Sequence, residues 1–403
     1  MEKKPRLWTK PFILLVFANL FTFMSFQMLI PTLPARVDAL GGSSVAVGLV
    51  TTLFSIAAVL MRPFIGYILG YSPRRKLVLI GSAALLAVTA SYLALPIVIV
   101  FLILRFIHGL AWGWSTTANG TAAVDLVPPS RIGEGLGYYS LAIAIGMIIA
   151  PSVGIYVYQH YNFTAQIMLS VLLGIVAFIL LAMIPYPKPA GWSQRELTFK
   201  HFHFFGAMVE KKGWYPALIT LLAAFGYGAV VTFMVIFADE QHLNQVSLFY
   251  IFNAACATAV RPITGKWYDK KGPWSLVSLC ALLSFAGMWV LAYANDNLDL
   301  AISGLLFGAG YGSLIPALQA WVLSKTDRER SGTANGMFFS SIDLGIGLSG
   351  LVMGAIKPFV ETAALFEISS VCFLAVAVLT VLDYFKQPNA NWRAIKEPTR
   401  RAN

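Results

Sequence analysis

The run FTAQIMLSVLLGIVAFILLAMI, residues 163–184, holds no charged side chain, and the proline-rich, basic stretch from Pro185 to Gly213 follows it at once. A helix needs ~20 mainly apolar residues to cross the hydrocarbon core of a bilayer. The run is long enough to do so. The stretch after it cannot continue it: Pro185, Pro187 and Pro189 lack backbone donors, and Lys188, Arg195, Lys200, Lys211 and Lys212 are costly to bury in lipid.

Similar runs fill the chain on both sides. Of its 403 residues, 58% are hydrophobic and 12% charged, against roughly 25% charged in a soluble domain; the mean hydropathy is +0.72. Too few polar groups exist to coat a water-facing surface of this size, so lipid is the solvent. The net charge of +11 does not imply nucleic acid, because the basic residues recur in short clusters between apolar runs. Cys256, Cys280 and Cys372 lie within apolar stretches and read as small core residues, not as a disulfide framework. No cleavable signal is expected, since Lys3, Lys4, Arg6 and Lys10 precede a run from Phe12 that is itself long enough to span.

Twelve spans are predicted, near residues 11–34, 45–69, 76–95, 97–124, 132–157, 163–184, 214–237, 245–267, 273–294, 298–324, 332–356 and 362–384. The fold class is all-α integral membrane, with six-helix halves at 1–184 and 214–403 joined by the linker 185–213. If the N-terminus is inside, the inner segments collect Arg74, Arg75, Lys76, Arg131, the linker, Lys266, Lys270, Lys271, Lys325, Arg328 and Arg330, while the outer loops hold only Arg36 and Lys357. That asymmetry predicts cytoplasmic termini in a bacterial-type inner membrane.

The halves repeat each other. At a constant offset of 199, Arg62, Pro63 and Arg131 match Arg261, Pro262 and Arg330. Gly66, Gly109, Gly113, Gly133, Gly137 and Gly146 match Gly265, Gly308, Gly312, Gly332, Gly336 and Gly345. Six of the ten glycines between residues 62 and 146 therefore recur, where about one would coincide by chance. Parallel duplication places a substrate site between repeats near the bilayer midplane.

Between the second and third spans the chain reads Gly66-Tyr-Ile-Leu-Gly70-Tyr-Ser-Pro-Arg74-Arg75-Lys76, and its repeat reads Gly265-Lys-Trp-Tyr-Asp269-Lys270-Lys271-Gly272. These resemble the signature loop of the major facilitator superfamily, a glycine followed at +4 by aspartate and then by basic residues. The second copy keeps the acid; the first has Gly70 there. The glycine is expected to permit close helix approach, and the charges to form a cytoplasmic latch. The resemblance implies that Arg74 pairs with Asp125. In the fourth span, Arg105-x-x-x-Gly109-x-x-x-Gly113 resembles the family's arginine–glycine motif. In the fifth, Gly146-x-x-x-Ala150-Pro151-x-x-Gly154 is similar to the glycine–proline motif of antiporters, drug exporters above all, with Ala150 in place of a glycine.

Arg105, His108, Trp112, Ser115 and Asn119 step by three and four and share one helical face. An arginine at membrane depth usually faces a cavity, and its repeat position is Gly304, so the charge is no requirement of the frame. His108 and Trp112 read either as pathway residues or as packing. Asp343 lies about twelve residues into the eleventh span and is suited to proton exchange or to pairing with a cation. Glu367 lies nearer an outer end. Asn19, Phe23 and Gln27 in the first span, and Gln319 in the tenth, bind substrate or bridge helices. Arg62 and Arg261 fit a symmetric scaffold or gate. His201 and His203 are too few for a metal site, and neither metal nor cofactor is expected. The sequence thus predicts a monomeric proton-coupled exporter of a small organic compound. Uptake or facilitated diffusion of a polar solute is the alternative, and a membrane enzyme or lipid-handling protein is the alternative of another class.

Overall fold

The computed structural model describes residues 6–69, 72–94, 96–128, 131–186, 202–326 and 331–386. Their regular structure is helical. In chain order the helices are α1 (Lys10–Gln27), α2 (Thr32–Ala39), α3 (Ser44–Ile68), α4 (Arg74–Ser91), α5 (Val98–Leu126), α6 (Ile132–His160), α7 (Phe163–Ala182), α8 (Phe204–Met208), α9 (Trp214–Glu240), α10 (Ser247–Lys271), α11 (Pro273–Ala292), α12 (Asn297–Ser324), α13 (Ser331–Ile356) and α14 (Thr362–Lys386). Among the described residues, ten stretches are long and apolar enough to span a membrane. Helices α4 and α10 stand in the third and eighth predicted places. Each is loaded with cations at one end: Arg74, Arg75 and Lys76 open α4, and Lys266, Lys270 and Lys271 close α10.

The chain divides into two compact units, residues 1–46 with 53–207, and residues 47–52 with 208–403. Within the first, α5 has its polarity inside out. Ile99, Ile103 and Ile107 are 59%, 54% and 45% exposed, while Arg105, His108, Ser115 and Asn119 are buried. Helix α7 repeats the pattern, with Met168, Leu172 and Ile179 exposed and Gln166 and Ser170 buried. Such a surface is stable against lipid and not against water.

Several boundaries differ from expectation, each for a local reason. The first span breaks after Gln27 and restarts as α2, because Pro31 has no N–H to continue the ladder. Helix α7 repairs the break: Gln166 Nε2 donates to Met28 O at 2.6 Å and to Thr32 Oγ1 at 2.7 Å. Helices α5 and α10 run past their predicted ends, which takes Asp125 and Asp269 into helix. Gly272, at φ 78°, then turns the chain into α11, a backbone angle that suits glycine. In the linker, residues 187–201, His201 included, lie outside the described residues; Phe204–Met208 and a 3-10 turn at Lys211–Gly213 follow.

The glycines show which part of the duplication is structural. A Cβ on Gly113 would lie 3.1 Å from Ala58 Cα, and one on Gly312 would lie 3.2 Å from Ala257 Cα. Likewise Gly109 sits against the Phe54 carbonyl and Gly308 against that of Asn253. Phe54 and Ala58 plus 199 are Asn253 and Ala257, so the same crossing, α3 on α5 and α10 on α12, is built twice. The signature-loop glycines do something else. A Cβ on Gly66 or Gly265 meets nothing within 4 Å among the described residues. The expected close approach therefore belongs to the repeated glycines of α5 and α12, whose partners are backbone atoms, and not to the signature loops.

Candidate substrate pathway

In the first unit the buried face of α5 meets α1, α3 and the end of α4. Arg105 is 2% exposed. Its guanidinium lies 4.4 Å from the Phe54 ring centroid, a cation–π distance, and hydrogen-bonds the Tyr92 hydroxyl. The same hydroxyl lies 3.1 Å from His108 Nδ1, so Tyr92 ties the arginine and the histidine together. His108 is edge-on to Phe26 and Phe54. One turn on, Trp112 stacks on Phe26 at 3.9 Å and meets Phe23 at 4.8 Å.

On the same two helices Ser115 and Asn119 of α5 and Asn19 and Gln27 of α1 are also buried. Tyr139 donates to Asn19 Oδ1 at 3.0 Å. Five polar atoms here are buried and meet no partner among the described residues: His108 Nε2, Ser115 Oγ, Asn119 Oδ1, Asn119 Nδ2 and Asn19 Nδ2. Leaving one polar atom unsatisfied costs ~1–3 kcal/mol. All five lie on α5 and α1.

Helix α6 packs its motif onto α1. A Cβ on Gly146 would stand 3.0 Å from Phe23 Cβ, and one on Gly154 would stand 2.7 Å from Met28 Cβ, beside the helix break. Pro151 lies inside α6 between them. At the other end of this unit Arg74 Nε donates to Asp125 Oδ2 at 2.6 Å, and Arg74 also reaches the Leu69 carbonyl. Arg74 opens α4 and Asp125 lies in the last turn of α5, so each charge opposes its own helix dipole and the pair offsets both. Arg62 is half-buried on α3.

In the second unit the polar residues are more scattered. Asp343 is half-buried on α13. Gln319 on α12 bridges to α13, donating to Asn335 Oδ1 at 2.7 Å. Arg261, half-buried on α10, has its Nε buried without a partner among the described residues. Glu367 accepts a hydrogen bond from Tyr293 near the start of α14. The side chain of Asp269 lies outside the described residues, as do Gly70 and Arg330. Tyr92, Phe26, Phe54 and Tyr139 lie on other elements than the α5 stripe, and no local spacing in the sequence links them to it.

The family model for the Major Facilitator Superfamily matches residues 15–391. The staphylopine export protein of Staphylococcus aureus is 22% identical over 400 residues, covering 94% of this chain and 96% of that one. Multidrug resistance protein MdtG of Escherichia coli is 24% identical over 368 residues, covering 86% and 88%. The crystal structure of the nucleoside transporter NupG superposes with a TM-score of 0.72 at 13% identity, over 93% of this chain and 99% of that one, which shows the shared fold. The chain therefore belongs to the Major Facilitator Superfamily and is a multi-pass membrane transporter.

Proposed function

We propose that the chain is a proton-coupled exporter of a small organic compound that works by alternating access. Residues 1–184 and 214–403 are its two six-helix halves, 185–213 is a cytoplasmic linker, and both termini lie in the cytoplasm of a bacterial-type inner membrane. The observation that carries this reading is the strip of five buried polar atoms on α5 and α1, which suits a solute path better than a packing core. Arg105, His108, Trp112, Asn119, Asn19 and Gln27 are its walls, with Gln319 near them in role. Asp343 is the proton carrier: protonation removes a charge that is costly at membrane depth. Arg62, Arg261 and the Arg74–Asp125 pair act as gates. Export is supported by the Gly146, Pro151 and Gly154 motif on α6 and by the relatives named as a staphylopine exporter and a multidrug resistance protein.

The test begins with a thermal-stabilisation screen of purified protein, because a true substrate shifts the unfolding equilibrium. A stabilising compound is then followed in inverted vesicles. Accumulation should rise with an imposed inside-acid gradient and collapse with a protonophore. Flux that ignores the pH gradient but shows counterflow would replace proton coupling by facilitated diffusion.

A further inference from the structure

The duplication brings a second aromatic site to light. Helix α6 grips Leu20, Phe23 and Met24 through Gly146, and α13 grips Leu221, Ala224 and Phe225 through Gly345. The offset between α1 and α9 is thus 201, and it maps Phe26 onto Tyr227; the offset of 199 maps Trp112 onto Tyr311. The stacked pair Phe26–Trp112 of the first unit therefore recurs as Tyr227–Tyr311, centroids 4.5 Å apart and 30° between planes. The two pairs differ in access. Phe26 and Trp112 are buried, whereas Tyr227 and Tyr311 keep part of their surface open, half-buried over a buried floor of Phe249, Phe307 and Phe373. Tyr311 stacks on Phe307 at 5.2 Å and 18°.

A third tyrosine adjoins this pair through the Phe249 floor. Tyr250 on α10 is 4% exposed, and its hydroxyl is buried with no partner among the described residues. It lies near enough to Tyr227 for their phenols to interact, as do those of Tyr227 and Tyr311. The Tyr227 and Tyr311 rings, tilted 30° to one another, offer an aromatic surface for stacking. The orphaned Tyr250 hydroxyl and the two other phenols offer hydrogen bonds to a ligand's edge. None of the three carries a charge at neutral pH.

We propose that Tyr227, Tyr250 and Tyr311 form a binding face for a planar, uncharged heteroaromatic ring with hydrogen-bonding groups at its edge. This names a substrate class for the carrier and so rests on the transport reading above. The test measures binding with no gradient present, so a failure of proton coupling leaves it untouched. The purified full-length protein is titrated into 2-aminopurine, a fluorescent planar probe that is quenched when it stacks.

Saturable quenching is expected, without displacement by excess cyclohexanol. Tyr311→Leu and Tyr227→Leu should weaken binding about tenfold or more. Tyr250→Phe keeps the ring and removes only the hydroxyl, so it should fold and bind about threefold more weakly. Phe285→Leu on α11, which meets Trp289 outside the cluster, should bind as wild type does. The proposal is overturned by absent saturation in the wild type, by displacement with cyclohexanol, or by unchanged affinity in folded Tyr250→Phe.

Discussion

The two halves of this transporter share a frame and differ in what they hang on it. Where α5 carries Arg105 and His108, α12 carries Gly304 and Phe307. Where α4 opens on Arg74 and α5 ends with Asp125, the repeat has Pro273 and Ser324. Asp343 on α13 faces Ala144 in the alignment of repeats. The positions kept in both halves, Gly109 and Gly113 with Gly308 and Gly312, set backbone against backbone. Those that diverge are polar or aromatic, and they gather on the buried strip of the first unit and the tyrosine face of the second. Duplication and packing together sort the residues: those that recur and also meet backbone, Gly109 and Gly113 with Gly308 and Gly312, hold helices together.

The sharpest way to break this sorting is to load a repeated glycine. Gly308→Leu would drive a side chain into the Asn253 backbone, which cannot yield, and should cost more than about 3 kcal/mol, read as lost folded yield and a lower midpoint of thermal unfolding. Gly109→Leu should behave alike against Phe54. Gly66→Leu, placed in open space, should shift stability by less than about 1 kcal/mol. Equal losses at Gly66 and Gly308 would show that close backbone contact does not decide which of the repeated glycines hold the frame.

Next in size is Arg105. Arg105→Ala should lower transport by about tenfold or more, because Tyr92 and His108 lose the guanidinium that orders them. Lysine should rescue incompletely, having no planar fork for the Tyr92 hydroxyl and the Phe54 ring. Transport unchanged in Arg105→Ala would remove the residue from the path.

The smallest effect concerns the Arg74–Asp125 pair, whose side chains are 11% and 20% exposed. Asp125→Asn should destabilise by about 1 kcal/mol or less. The swap Arg74→Asp with Asp125→Arg restores the pair and moves each charge to the helix end that favours it. It should therefore regain or exceed wild-type stability by about 0.3–1 kcal/mol in thermal unfolding at low salt. A swap less stable than Asp125→Asn would mean that the geometry around Leu69, not charge, sets this contact.

Much of the fold was legible because membrane helices announce themselves. Long uncharged runs bounded by cations fix the spans, and the constant offset exposes the duplication. The break after Gln27 was harder to read, since Pro31 and Pro34 sit inside an apolar run and the repair comes from Gln166, far along the chain. The α5 stripe was readable because one helix carries it at regular spacing. Its lining was not: Tyr92 and Phe54 reach Arg105 from two other helices, and no local pattern links them. The tyrosine face needed the two offsets, 199 and 201, and the second becomes visible only once the glycine contacts are known.

The most direct test of the account compares wild type with Asp343→Asn in the same proteoliposomes, using a compound found by thermal stabilisation. Asparagine keeps the shape of the side chain and cannot titrate. Wild type should accumulate the compound against its gradient when a pH gradient is imposed, and exchange it when there is none. Asp343→Asn should lose the accumulation and retain the exchange. Normal gradient-driven accumulation in Asp343→Asn would contradict the account, because the proton would then travel by another group or not at all.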